Sequence, residues 1–442
     1  MSSFAAIPES ADHLKLIKRW TWFTSDLSGS LVYLASLLLP LFDSSPRVLT
    51  SDIEPWWLYT IAHTVLRWDT IHFVQIAQHG YVYEHERAFL PGMSMLMRVL
   101  GKLLRLQAPW KSDEGDPLSM QNALLGGIWA TRYLSTSTAL YRLTLHHMRS
   151  QPIALLASLL SLLPSSPPTA RFAPYNEQPF AFLSYQGMLF CAKSQWFMAS
   201  SCFALAGMFR SNGIFLAGFV IWGLLVDPFL SHQRIPSHRL AYTGFLTSMI
   251  FTPFIVHQYM AYRDFCQDPM MFAPWCSNIP PSVYTYVQAR YWDSGFLRYW
   301  TPQQLPNFLI CAPVLALLFT YSIHYIRCAL IPRLRLSLSS QSFKSMKRDA
   351  SAHHVTTPMS SSPFLNPSIA PHAIHALFLS STLLFAAHTQ IVLRLAASMP
   401  LTYWAAAWLY VEHPAWGKRW VAWSVVWGAI SIVLWATFLP PA

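Results

Sequence analysis

The chain has 442 residues, 53% of them hydrophobic and 11% charged, with a formal net charge of +11. So few charges cannot coat a soluble globule of this size, and the chain reads as an integral membrane protein. Its basic residues are scattered over short loops without a contiguous basic face, which argues against a nucleic-acid partner and for anionic membrane lipids.

Residues 1–28 carry Lys15, Lys18 and Arg19 ahead of a first apolar run at 29–45 and show no small-residue cleavage pattern behind it. They are expected to be cytosolic, with the run acting as a signal anchor. The following loop, 46–88, sets Asp52, Glu54, Asp69, Glu84 and Glu86 against Arg47, Arg67 and Arg87, so it lacks a cationic excess and is expected in the lumen. Apolar stretches continue near 88–104, 121–148, 152–166, 178–191, 196–228, 240–262, 306–328, 372–411 and 418–439. With about 20 residues per crossing, the longer ones read as helix pairs, for roughly 11 to 13 transmembrane helices. Several are short, as suits the thin endoplasmic reticulum bilayer.

Between these runs, "SDEGD" (112–116) reads as a solvated cytosolic loop. A second luminal loop is expected at 263–304; it holds Cys266 and Cys276, and an oxidising lumen permits a disulfide there without dictating it. Residues 332–371 mix Ser, Pro and Thr with Arg333, Arg335, Lys344, Lys347 and Arg348, the composition of a flexible cytosolic linker. Residues 372–442 complete the membrane part. The fold class is all-α and polytopic, with a catalytic bundle over 29–331.

Common nucleotide and metal chemistries are missing from the sequence: it has no GxxxxGK[ST] loop, no GxGxxG, no HExxH and no Asp-x-Asp pair. No metal or cofactor is expected. The acidic stretch "RWDTIHFVQIAQHGYVYEHERAFLPG" (67–92) stands out on the luminal side. It is followed in order by "APYNE" (173–177), "RSNG" (210–213), "PWC" (274–276), "YVQARYWDSGFLRYW" (286–300), "PNFL" (306–309) and "RLAASMPLTYW" (394–404).

Together these motifs resemble the PIG-V family of GPI mannosyltransferases over nearly the whole chain. Asn176 stands where that family usually carries a small hydroxyl residue. The resemblance implies a GT-C type glycosyltransferase of the endoplasmic reticulum membrane with its site facing the lumen. Its donor would be dolichyl-phosphate mannose and its acceptor a one-mannose GPI glycolipid, which gains a second, α1,6-linked mannose. Fungal relatives also work with a small membrane accessory subunit. Two other classes remain open: a dolichol-dependent transferase acting on an N-glycan or protein acceptor, and a transporter or non-catalytic membrane subunit. A transporter should show repeat symmetry with broken helices in both halves, and the sequence shows no such repeat.

Inverting a β-linked mannosyl phosphate needs one displacement with an anionic leaving group, so a single carboxylate base suffices, where an inverting hydrolase needs an acid as well. The resemblance gives that role to Asp69, whose alternative is an ion pair with Arg67 or a helix cap. Arg67 would orient Asp69 or meet phosphate, Trp68 would stack on a sugar or anchor at the interface, and His72 would share Asp69's helix face. Arg394, and Arg210 with Asn212, are candidates for the donor phosphate, snorkelling being the alternative for Arg210. Glu84 and Glu177 would bind mannose hydroxyls or cap helices. Tyr291 and Trp292 would meet lipid substrates or belong to an aromatic belt.

Overall fold

The computed structural model describes residues 7–51, 53, 55–107, 118–267, 273–344 and 362–439. Asp52, Glu54, the "SDEGD" loop, Lys347 and Arg348 lie outside the described residues. Every regular element among the described residues is a helix. Five are long and apolar enough to cross a bilayer: Ser211–Leu230, Ser237–Cys266, Pro302–Ser337, Pro367–Phe385 and Pro414–Ala436. The count of roughly 11 to 13 crossings treats every apolar run at about 20 residues per span. In the structure the 29–45 run enters the long helix Ala11–Leu38 and other runs fold as shorter helices: 121–148 becomes Met120–Tyr133 and Thr136–Met148, and 152–166 holds the end of Gln151–Leu160, ahead of Pro167–Arg171.

The first helix, Ala11–Leu38, is capped by Ser10, whose side chain accepts from the His13 amide. It runs through residue 28 without a break, so the edge of the expected cytosolic segment falls inside a helix. Of the expected linker 332–371, residues up to Lys344 continue a helix, and residues 362–371 pack inward through Phe364 and Ile369. Its composition gives little hint of this, because those two apolar side chains are diluted among Ser and Pro.

Loop contacts fall into two groups. In the first, Arg142 pairs with Glu9, Gln151 reaches the Pro8 carbonyl, His147 bonds Ser368 and Ser362 bonds Glu412. These join the N-terminal segment, 142–151, 362–368 and residue 412. In the second, Arg87 pairs with Asp264, Trp275 with Glu84, Tyr284 with Ser211, Trp292 with His388 and Asp69 with Arg394. The two expected luminal loops, the 173–177 and 210–213 segments and the 386–399 turn therefore meet in one place. There Cys266 and Cys276 form a disulfide, closing the choice that the sequence left open.

Candidate active site

Asp69 is the first residue of the helix Asp69–His79, and Glu177 is the first residue of Glu177–Ala192. A carboxylate at a helix N-terminus is favoured by the unpaired amides and the helix dipole. The turn that delivers Asp69 is strained: Trp68 sits at φ 34°, which costs a bulky residue roughly 1–3 kcal/mol. It is held there by packing, its ring lying 5.5 Å from Trp435 and 5.0 Å from Phe438.

The short helix Val392–Leu395 brings Arg394 against both carboxylates. Its Nη2 donates to Asp69 Oδ2 at 2.6 Å and its Nε to Glu177 Oε1 at 2.7 Å. Arg210 Nη1 donates to the same Glu177 oxygen at 2.8 Å, and Arg210 Nε lies 3.4 Å from Asn212 Oδ1. The result is an alternating chain, Asp69–Arg394–Glu177–Arg210, of two carboxylates and two guanidinium groups. The Glu177 side chain is 3% exposed and that of Asp69 26%, so Glu177 is the fixed partner of Arg394 and Asp69 the exchangeable one. Beneath the chain lies Tyr175, with the Arg394 guanidinium 4.9 Å above its ring and its hydroxyl bonded to the Arg67 carbonyl.

This chain borders a cavity of about 630 Å³, within the usual range for a small-molecule site. Asp69, Arg210, Asn212 and Arg394 form a charged end. Phe215 and Leu379, Thr382 and Leu383, from the spans Ser211–Leu230 and Pro367–Phe385, form a largely apolar wall. The remaining side is the helix Val283–Trp292, which presents Tyr284, Gln288 and Trp292. Such a space suits a ligand with an anionic head and a hydrocarbon part.

The other candidates lie elsewhere. Arg67 is fully buried, and its guanidinium donates to the carbonyls of His63, Leu66, Trp435 and Ala436. The expected contact with Asp69 or phosphate is therefore corrected: four backbone acceptors hold the Arg67 side chain, and Asp69 pairs with Arg394. Trp68 is packed among aromatics and does not line the cavity. His72 stacks on Phe89 at 4.5 Å, supporting a cavity-lining ring from behind, and burial lowers its pKa. Glu84 accepts from the Trp275 indole and from Tyr291, so the Glu84 and Tyr291 side chains brace the loop and line no part of the cavity. Trp292 does line it.

Sequence reasoning passed over Tyr175, Tyr284 and Gln288. Tyr284, Gln288 and Trp292 recur every four residues, a one-sided helical stripe that spacing alone could have flagged. Tyr175 lies inside the APYNE motif at 173–177, but nothing in the sequence places it under Arg394.

The family model described as Mannosyltransferase (PIG-V) matches residues 31–442. The chain is similar to GPI mannosyltransferase 2 of Cryptococcus neoformans var. neoformans serotype D (strain JEC21), 33% identical over 432 residues that cover 92% of this chain and 93% of that protein. It is also similar to GPI alpha-1,6-mannosyltransferase 2 of Rattus norvegicus, 30% identical with 84% and 78% covered. Among solved structures, the apo oligosaccharyltransferase of Archaeoglobus fulgidus resembles it with a TM-score of 0.42 and 11% identity. That match covers 94% of this chain and 57% of the archaeal one, so the chain spans a little over half of that protein's length.

Proposed function

The chain belongs to the PIG-V family of mannosyltransferases and is a GPI mannosyltransferase, and from this premise we propose that it adds the second, α1,6-linked mannose to a one-mannose GPI precursor from dolichyl-phosphate mannose. The reaction takes place on the luminal face of the endoplasmic reticulum membrane. The observation that carries this reading is the charge chain at one end of an amphiphilic cavity flanked by membrane spans. A polyprenyl phosphosugar has the matching division, an anionic diester beside a sugar at the end of a hydrocarbon chain. GT-C architecture fits the same reading, as does an accessory membrane subunit.

The acceptor's 6-hydroxyl oxygen attacks the anomeric carbon as the bond from that carbon to the phosphate oxygen breaks. The electron pair leaves with the phosphate, and the hydroxyl proton passes to Asp69. General base catalysis of this kind contributes roughly 10²–10⁴-fold. Arg394 and Arg210 stabilise the charge that grows on the leaving phosphate, held in place beforehand by Glu177.

In the structure Asp69 is bonded to the very guanidinium that the phosphate needs. A diester monoanion arriving at Arg394 competes with the more exposed carboxylate and leaves Glu177 in place. Asp69 then turns from ion-pair partner to proton acceptor, so the base is freed when the donor is seated.

The test is a transfer assay with purified protein and dolichyl-phosphate mannose, offering a one-mannose GPI lipid, an N-glycan precursor lipid and a peptide. Mannose should pass to the GPI lipid alone, and cells lacking the protein should accumulate that lipid. Transfer to either other acceptor in its place would refute the assignment.

A further inference from the structure

Arg171 closes the helix Pro167–Arg171 and is only 4% exposed. Its setting differs from that of the other buried and half-buried arginines. Arg87, Arg210 and Arg394 pair with carboxylates, and Arg67 is wrapped by four carbonyls. Arg171 donates to a single carbonyl, that of Ser161, its Nε has no partner, and no ion pair joins it to a carboxylate among the described residues. A buried cation without a counter-charge is strongly disfavoured, because a low-dielectric interior neither solvates nor screens it.

Beside it lies a small cavity of about 20 Å³, lined by Arg171 together with Thr136, Ser137, Ser161, Gln178 and Tyr403. That volume is enough for one small sphere, an ion or a water. The Thr136 hydroxyl is buried and also lacks a partner. The polar lining offers the guanidinium and the hydroxyls of Thr136, Ser137 and Tyr403 as donors, the Ser161 hydroxyl donating instead within the protein, to Ser137 or the Ser158 carbonyl. We propose that this cavity binds one monatomic anion, a halide, as the counter-ion of Arg171.

The ion would sit directly behind the active site, since Gln178 follows Glu177 and Ala397, another lining residue, lies three positions beyond Arg394. It would fix the 161–178 segment against the 394–403 segment, the two stretches whose side chains meet in the Glu177–Arg394 pair.

The experiment measures thermal unfolding of the detergent-solubilised full chain at constant ionic strength in chloride, bromide, gluconate and sulfate. Chloride and bromide should raise the unfolding temperature by several degrees with saturable dependence, gluconate should not, any rise in sulfate should follow its general exclusion from protein surface and not saturate, and bromide should give an anomalous scattering peak in the cavity. Arg171→Gln should abolish the halide dependence. If that variant does not fold, Thr136→Val should raise the halide concentration at half-saturation several-fold. Equal unfolding temperatures of the wild type in all four salts, or a cavity holding water in bromide, would overturn the proposal. Mannose transfer is not read, so failure of the transfer reading leaves the result unaffected.

Discussion

At the scale of single residues, Arg67 of the acidic stretch and the distant Arg394 carry opposite kinds of work. Arg394 bridges two carboxylates through two different nitrogens, a geometry that a lysine ammonium cannot reproduce because its donors radiate from one point. Arg394→Lys is therefore expected to lower turnover at saturating donor by about tenfold or more, about 1.4 kcal/mol of transition-state stabilisation. Steady-state assays on stably inserted protein check this, and near-wild-type turnover would remove the phosphate role. Arg67 is the reverse case. Arg67→Met removes a donor from four carbonyls, of which that of Trp435 keeps the Phe438 amide, at a cost of about 1–3 kcal/mol for each group left unsatisfied. Abundance and unfolding temperature should fall sharply while the surviving folded fraction keeps its normal donor KM. A changed KM with normal abundance would return Arg67 to the substrate.

The same pair shows how far a sequence can be read. Asp69 and Arg394 were both legible as candidates because each sits in a motif. Their contact was not, because 325 positions separate them and no spacing rule reaches that far. Arg67 was misplaced for a related reason: two of its partners are backbone carbonyls at the end of the last helix, and carbonyls leave no mark on the sequence.

At the scale of elements, the helices Gly92–Gln107 and Met120–Tyr133 cross at a pair of glycines. A Cβ on Gly126 would lie 2.6 Å from the Gly101 backbone nitrogen, and one on Gly101 would lie 2.7 Å from the Asn122 carbonyl oxygen. Small residues permit such close backbone approach between membrane helices. Gly126→Ala must push the two helices apart, and overpacking of this kind costs typically about 1–3 kcal/mol. A lower unfolding temperature should accompany it, whereas an unchanged one would show that the crossing yields without strain. Helices were the most legible part of the sequence, because apolar runs mark them directly. Their breaks were less so: 121–148 reads as one run, yet it turns at Leu134 and Ser135, whose local cue is a single capping residue.

At the scale of the whole molecule, the loop contacts form two separate groups, and the active site belongs to the group built from 46–88 and 263–304. The proposed topology, read from the charge bias, has these loops in the lumen and residues 1–25 and 332–370 in the cytosol. N-glycosylation acceptor sites inserted into the luminal loops are expected to be modified, and sites inserted into the two cytosolic segments should stay bare. A glycan on the 332–370 segment would invert the topology and remove the site from the compartment that the proposed reaction needs.

The central claim is that Asp69, paired with Arg394 in the structure, takes the acceptor's proton once the donor phosphate has displaced it from that guanidinium. Asp69→Asn keeps the size of the side chain and removes both the competing charge and the basic oxygen. The most direct measurement is mannose transfer to the one-mannose GPI lipid together with donor binding, on equal amounts of folded wild type and Asp69→Asn. Transfer should fall at least about 100-fold, the lower bound of a general base's contribution, while donor binding is undiminished or tighter. Retention of about a tenth or more of the wild-type turnover, or a loss of donor binding that matches the loss of transfer, would contradict the claim.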